Sequence, residues 1–81
     1  MSNEKSRQML CDLGYTYRGD WSSFDGRVFQ HQVHAIGECI VGNEKAKDAL
    51  DTLGEYYRND WSTVDGRTVS KELEYIANML D

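Results

Sequence analysis

The two halves of this chain carry the same sequence pattern at an offset of 40 residues, without a gap. Aligning residues 3–40 with residues 43–80 gives 15 identities in 38 positions, whereas unrelated sequences of ordinary composition would share about two. The three-residue matches are Asn-Glu-Lys, Asp-Trp-Ser and Asp-Gly-Arg. A repeat of about 40 residues is one supersecondary unit that cannot bury its apolar face alone. We therefore interpret residues 1–81 as one domain in which two repeats, 3–40 and 43–80, pack on each other.

Apolar residues recur in each repeat at spacings of three and four, which places them on one face of an α-helix. The stripes before and after the central loop are Leu10, Leu13, Tyr17 and Phe29, Val33, Ile36, Ile40 in the first repeat, and Leu50, Leu53, Tyr57 and Val69, Leu73, Ile76, Leu80 in the second. The chain has no proline, which would interrupt a helix. The predicted fold is all-α, with two tandem helix-loop-helix hairpins packed as a four-helix domain about a pseudo-two-fold axis.

Glycines mark three positions in this pattern. Gly42 suits the end of one helix and Asn43 the start of the next, so they predict the junction between the repeats. Gly14 and Gly54 fall inside the first helix of each repeat, where glycine costs about 1 kcal/mol relative to alanine. Two explanations stay open: these glycines let a neighbouring helix approach closely, or they end the helix early and leave residues 15–18 in a turn.

The motif Asp-Trp-Ser-x-x-Asp-Gly-Arg forms the loop of each repeat, and we interpret it as structural. Asp25 and Asp65 can cap the following helices, and Ser22 and Ser62 can instead form capping boxes with them. The tryptophans would cover the open end of a hairpin, and the arginines would pair with the loop carboxylates. The predicted structural residues are Asp20, Trp21, Ser22, Asp25, Gly26, Arg27, Asp60, Trp61, Ser62, Asp65, Gly66 and Arg67. The alternative is a ligand pocket built twice, in which arginine and tryptophan face an anion or a ring.

Metal binding and catalysis are weakly supported by the sequence. Cys11, His31, His34 and Cys39 are zinc-ligand types, but their spacing matches no known zinc motif. The sequence also has no glycine-rich phosphate loop, no nucleophile paired with a base in a familiar order and no metal-ligating helix motif. We therefore expect a protein that is not an enzyme and has no cofactor. A metal-binding protein that uses the two cysteines and two histidines is the less favoured alternative.

Charge and hydropathy limit the partners and the compartment. The net charge of −5 and the pI of about 4.8 argue against direct binding of nucleic acid, which needs clustered lysine and arginine. The sequence contains no run of 18 apolar residues, so it predicts no membrane span. The polar N-terminus does not resemble a secretory signal. With two cysteines, we expect a chain located in the reducing cytoplasm.

The acidic residues are concentrated in the second repeat, which suggests a binding surface. Residues 1–40 have a net charge of −1 and residues 41–81 a net charge of −4. Asp48, Asp51 and Glu55 share one face of the third predicted helix. The predicted partner-binding residues are Asp48, Asp51, Glu55, Glu72 and Glu74.

We therefore expect a protein–protein interaction module. One version is an acidic inhibitor of a nucleic-acid-binding enzyme, comparable in size and charge with small phage-encoded antagonists of bacterial defence, including anti-CRISPR proteins. The alternative is a helical adaptor or self-assembling module, for example a homodimer, that uses Tyr15, Phe24, Tyr56 and Tyr75 as exposed anchors.

Overall fold

The computed structural model describes residues 3–80, which contain four α-helices and no β-strand. The helices are α1 (Glu4–Gly19), α2 (Gly26–Glu38), α3 (Glu44–Asn59) and α4 (Gly66–Ala77). Corresponding helices of the two halves begin 40 residues apart, as the sequence pattern predicts. The prediction of an all-α, four-helix domain is confirmed for this part of the chain.

The loop aspartates start the second helix of each half. Asp25 Oδ1 accepts a hydrogen bond from the backbone N–H of Arg27 at 2.8 Å, and Asp65 Oδ1 accepts one from Arg67 at the same distance. These bonds satisfy N–H groups that have no partner inside the helix. Of the two capping arrangements considered for this loop, direct capping by the aspartates is therefore the one that occurs.

The junction between the halves is fixed by two asparagine side chains. Gly42 has a φ of +75°, a conformation that glycine adopts without steric cost. Asn43 then caps α3, its side chain accepting a hydrogen bond from the Ala46 N–H at 3.0 Å. Asn3, at the start of α1, donates to the Val41 carbonyl at 3.0 Å and accepts from the Val41 N–H at 2.8 Å. The predicted junction is thus joined to the beginning of the first helix.

Close helix packing occurs between the halves rather than within them. Helix α1 packs tightly against α4, and α2 packs tightly against α3, whereas the two helices of each half make few close approaches. A Cβ atom at Gly14 would lie 3.2 Å from the Ser70 Cα, and one at Gly54 would lie 2.8 Å from the Val33 Cγ2. The helices continue through both glycines. The close-approach explanation is therefore correct, and the explanation that glycine ends the helix early is wrong.

The core lies between the two close helix pairs. Its largest fully buried side chains are Leu10, Phe29, Val33, Leu50, Val69 and Leu73. Four aromatic rings fill one part of it, those of Tyr17, Phe24, Phe29 and Tyr57, with ring centroids 4.9–5.7 Å apart. Phe24 is only 7% exposed, so the prediction that it is an exposed anchor is wrong. Although Phe24 belongs to the loop before α2, its ring extends inward between the two tyrosines.

The close approach of α3 and α2 predicts the effect of adding one methyl group. Gly54→Ala would place that group against Val33 and Gln30, and overpacking of this kind costs about 1–3 kcal/mol. We expect a lower melting temperature in thermal unfolding followed by circular dichroism, although alanine is the better helix former.

Gly19→Ala is the matched control, because a Cβ atom there would meet nothing within 4 Å. We expect Gly19→Ala to leave the melting temperature unchanged or slightly raised. Equal melting temperatures for Gly54→Ala and the unaltered protein would contradict the close approach.

Candidate interaction surface

Each Asp-Trp-Ser loop contacts the start of the second helix of the other half. A Cβ atom at Gly66 would overlap the Tyr17 carbonyl oxygen and lie 2.5 Å from the Trp21 Cε3. The Arg67 guanidinium then covers the Trp21 ring at 5.9 Å from its centroid. Indole, glycine and guanidinium therefore form one packed layer that joins the halves.

The reciprocal contact has the same composition. Gly26 lies against the Tyr57 carbonyl, and a Cβ atom there would be 2.6 Å from the Trp61 Cε3. The Arg27 guanidinium lies 5.9 Å from the Trp61 ring centroid, with its Nε 3.6 Å from the Asp25 carboxylate. The tryptophans, which the sequence predicts to cover the open end of a hairpin, connect each half to the other.

The remaining polar groups of the loops bond within the loops. Asp20 Oδ1 accepts hydrogen bonds from the backbone N–H of Ser22 at 3.0 Å and from its hydroxyl at 2.8 Å, and Asp60 and Ser62 repeat both bonds. These bonds favour the charged carboxylate, so they lower the pKa of Asp20 and of Asp60. The serines therefore complete a turn after the first helix instead of forming the capping box with Asp25 and Asp65.

The structure separates the five carboxylates that the sequence grouped as partner-binding. Asp48, Asp51 and Glu55 are exposed on α3 and are spaced so that they share one face; we call these three residues the acidic ridge. Glu72 and Glu74 lie on α4, outside this ridge. Asp48 and Glu72 line one groove between α3 and α4, Asp51 and Glu55 line another between α2 and α3, and Glu74 lines a third, so the five carboxylates face three different concavities.

Glu72 has an internal partner. Its Oε1 accepts a hydrogen bond from the Tyr57 hydroxyl at 2.7 Å. Partial burial and this carboxylate together raise the pKa of Tyr57, because both disfavour the phenolate. Glu72 thus connects α4 to α3, as the Tyr17 hydroxyl connects α1 to Gln32 of α2 at 2.6 Å.

Glu74 lines a polar groove of about 500 Å³ between α1 and α4. Its charged neighbours in that groove are Arg18, Asp65, Arg67 and Lys71. Both signs of charge are present, so Glu74 belongs to a mixed surface and not to an acidic one.

A large apolar concavity lies between α3 and α4, and we call it the tyrosine groove. It has a volume of about 740 Å³. Its lining residues are Lys45, Asp48, Ala49, Thr52, Leu53, Tyr56, Thr68, Lys71, Glu72, Tyr75 and Ile76. Tyr56 is 63% exposed and Tyr75 is 72% exposed. The groove exists because α3 and α4 are not a close pair, which leaves apolar side chains uncovered.

The equivalent space between α1 and α2 has a different surface. It has a volume of about 380 Å³ and is lined by Met9, Asp12, Leu13, Thr16, Gln32 and Ile36. The positions that match Tyr56 and Tyr75 hold Thr16 and Ala35. The sequence prediction grouped these tyrosines with Tyr15 and Phe24 as anchors and did not detect that they line one groove. The sequence did contain a signal for the groove, because Tyr56 and Tyr75 are aromatic whereas the matching positions of the first repeat are not.

The predicted zinc-ligand types are all exposed. Cys11 lies on α1, Cys39 follows α2, and both are free thiols. His34 of α2 lies 3.3 Å from Glu38 and 3.8 Å from Asp51 of the acidic ridge. Within residues 3–80, no group of three or more histidine, cysteine, aspartate or glutamate side chains is arranged to hold a metal ion.

Every helix in the described part of the chain is too short or too polar to cross a lipid bilayer. Comparison with protein-family models, with curated proteins and with solved structures finds no match for this chain. Function is therefore inferred from its own residues and geometry.

The contacts of Trp61 predict that the loop is required for folding. Trp61→Ala removes a half-buried ring that packs on Gly26 and under Arg27. We expect the free energy of unfolding to fall by about 2–4 kcal/mol, measured by urea denaturation.

Tyr75→Ala is the control, because this ring is equally aromatic but largely exposed. It should change the unfolding free energy by about 0.5 kcal/mol or less. A Trp61→Ala protein of normal stability that has lost a binding activity would show instead that the loop is a ligand site.

Proposed function

We propose that this chain is a non-enzymatic protein–protein interaction module that binds its partner through the tyrosine groove. The observation that carries the proposal is the pair of exposed rings, Tyr56 and Tyr75, on either side of an apolar floor formed by Ala49, Leu53 and Ile76. Aromatic side chains at the centre of an apolar patch supply most of the binding energy in many protein interfaces. Both rings are largely exposed, although the Tyr56 ring also packs edge-to-face on the ring of the core residue Tyr57, with centroids 5.0 Å apart.

The composition of the groove supports a protein ligand. Its floor is aliphatic, and its rim carries Lys45, Asp48, Lys71 and Glu72. An apolar centre surrounded by polar groups is typical of interfaces between proteins that also exist separately. Grooves bordered by a wall on each side commonly bind a segment of a partner chain.

The acidic ridge favours a more specific version of this function. Asp48, Asp51 and Glu55 present three exposed carboxylates along one face of α3. In this version the partner is a nucleic-acid-binding protein, and the chain acts as its inhibitor by occupying a basic surface, in the manner of small phage-encoded anti-defence and anti-CRISPR proteins. Binding of this kind weakens steeply as salt screens the charges. A groove-anchored adaptor or self-assembling module would retain its binding in high salt.

A pull-down from bacterial lysate at low and high salt tests the proposal. The unaltered chain is compared with Tyr56→Thr/Tyr75→Ala, which gives the groove the residues of its counterpart in the first half. We expect the double variant to lose the captured protein at both salt concentrations, because it removes the apolar anchors. Tyr15→Ala is the matched control, since Tyr15 is 76% exposed but does not line the groove.

Two results decide between the versions. The inhibitor version is supported if two results occur together. The Asp48→Asn/Asp51→Asn/Glu55→Gln variant fails to capture the protein at low salt, and the unaltered chain fails to capture it at high salt. Capture that persists at high salt and is unaffected by the substitutions in the acidic ridge supports the adaptor or self-assembling module. Identical capture by the unaltered chain and by Tyr56→Thr/Tyr75→Ala would refute binding through the groove.

A further inference from the structure

We propose that two copies of this chain form a dimer by exchanging halves, with Gly42 as the hinge. In this dimer, residues 3–41 of each copy pack on residues 43–80 of the other copy. Exchange of an identical element between two copies is a low-cost route to a dimer. The surface involved is the one by which the two halves contact each other in the monomer. The exchange is independent of the proposed function, because the tyrosine groove lies within one half.

Hydrogen bonds close each half on itself. The Asn3 side chain bonds to both backbone groups of Val41, at 3.0 Å and 2.8 Å. The Asn43 side chain donates to the Met79 carbonyl at 2.9 Å. The first two bonds lie within the first half and the third lies within the second half, so an exchange of halves leaves all three intact. Gly42 is the single residue between the two closed segments.

The two helices of each half are also bonded to each other. The Tyr17 hydroxyl donates to Gln32 at 2.6 Å, and the Tyr57 hydroxyl donates to Glu72 at 2.7 Å. Both bonds join the helices on either side of one Asp-Trp-Ser loop. Each half can therefore move as one unit without losing these side-chain bonds.

A second copy can reproduce the contacts between the halves. The close helix pairs, α1 with α4 and α2 with α3, each take one helix from each half. The packing of Trp21 on Gly66 and of Trp61 on Gly26 also joins one half to the other. These contacts depend on the two surfaces and not on whether one chain carries both. The covalent link favours the monomer by keeping the halves at an effective concentration on the order of millimolar.

The backbone of Gly42 determines how far the monomer is favoured. Its φ of +75° is a left-handed conformation that residues with a Cβ atom adopt only at a cost. The turn from α2 to α3 uses this conformation in the monomer, whereas in the exchanged dimer the chain runs on in an extended path with a negative φ. A side chain at position 42 therefore destabilises the monomer and leaves the dimer unstrained, so it shifts the equilibrium toward the dimer.

Size-exclusion chromatography with light scattering tests the exchange on the full chain. The chain is unfolded in urea and refolded at about 10 µM and at about 1 mM, the second concentration being comparable to that set by a short link. We expect the unaltered chain to be a monomer in the first sample and to form a dimer fraction in the second. Gly42→Val should lower the dimer dissociation constant about a hundredfold, which is about tenfold for each of the two hinges released.

Gly19→Val is the matched control. A Cβ atom at Gly19 or at Gly42 meets nothing within 4 Å, but of the two only Gly42 has a positive φ. We expect Gly19→Val to dimerise no more than the unaltered chain does. Gly42→Asn should lie between the unaltered chain and Gly42→Val, because asparagine tolerates the left-handed conformation better than valine does.

Isotope-filtered nuclear Overhauser effects distinguish an exchange of halves from association through the outer surface. Labelled and unlabelled copies of Gly42→Val are unfolded, mixed and refolded together. Exchange predicts cross-peaks between the Trp61 ring of one copy and the Gly26 α-protons of the other. Tyr56→Thr/Tyr75→Ala, which alters the tyrosine groove, should dimerise to the same extent as the unaltered chain.

Three outcomes would overturn the proposal. The first is a Gly42→Val protein that folds and stays monomeric at both concentrations, and the second is a dimer without these intermolecular cross-peaks. The third is a dimer that Tyr56→Thr/Tyr75→Ala dissociates, which would mean that the groove joins the copies. If Gly42→Val does not fold, the unaltered chain decides the question, because absence of a dimer after refolding at about 1 mM contradicts the exchange.

Discussion

Contact between an indole ring and a glycine at the start of a helix holds the two halves of this protein together. At Gly66, and reciprocally at Gly26, the backbone lies so close to a carbonyl group and a tryptophan ring that a Cβ atom would overlap them. The neighbouring arginine covers the outer face of each ring. Because protein interiors are packed to the density of organic crystals, one added methyl group at such a contact must displace backbone. The helices joined by these contacts, α1 with α4 and α2 with α3, are the ones that pack closely along the rest of the molecule.

That pairing determines where apolar surface remains exposed. Helices α1 and α2 are joined by a short loop, yet each packs most closely with a helix of the other half. The same is true of α3 and α4. Each half therefore retains an incompletely filled space between its own two helices. In the second half this space is the tyrosine groove, and in the first half threonine and alanine occupy the positions that match its two rings. The fold and the proposed binding surface thus have a common origin.

Local sequence signals predicted the elements of this fold well. Apolar spacing identified the four helices of residues 3–80, and Asp25, Asp65 and Asn43 were correctly expected at helix starts. These features depend on residues within one or two turns of each other, so a single sequence contains the information. The helix partners were not predicted, because periodicity indicates which face is buried and not which helix covers it. Phe24 illustrates the same limit: it lies outside the apolar stripes and is predicted to be an exposed anchor, and only the assembled core shows that its ring is enclosed.

The candidate site was predicted less completely, for a related reason. The sequence identified Tyr56 and Tyr75 as exposed residues and Asp48, Asp51 and Glu55 as one helix face. It did not indicate that the tyrosines border one groove, or that Glu72 is bonded to Tyr57. Both facts depend on the distance between α3 and α4, which is set by contacts elsewhere in the molecule.

Nuclear Overhauser effects of the two tryptophan rings in the labelled protein test the packing between halves most directly. The account predicts strong cross-peaks from the Trp21 ring to the Gly66 α-protons and from the Trp61 ring to the Gly26 α-protons. Cross-peaks from Trp21 to Gly26, or from Trp61 to Gly66, in place of these would mean that each half folds onto itself. Such a result would contradict both the helix pairing and the origin of the tyrosine groove.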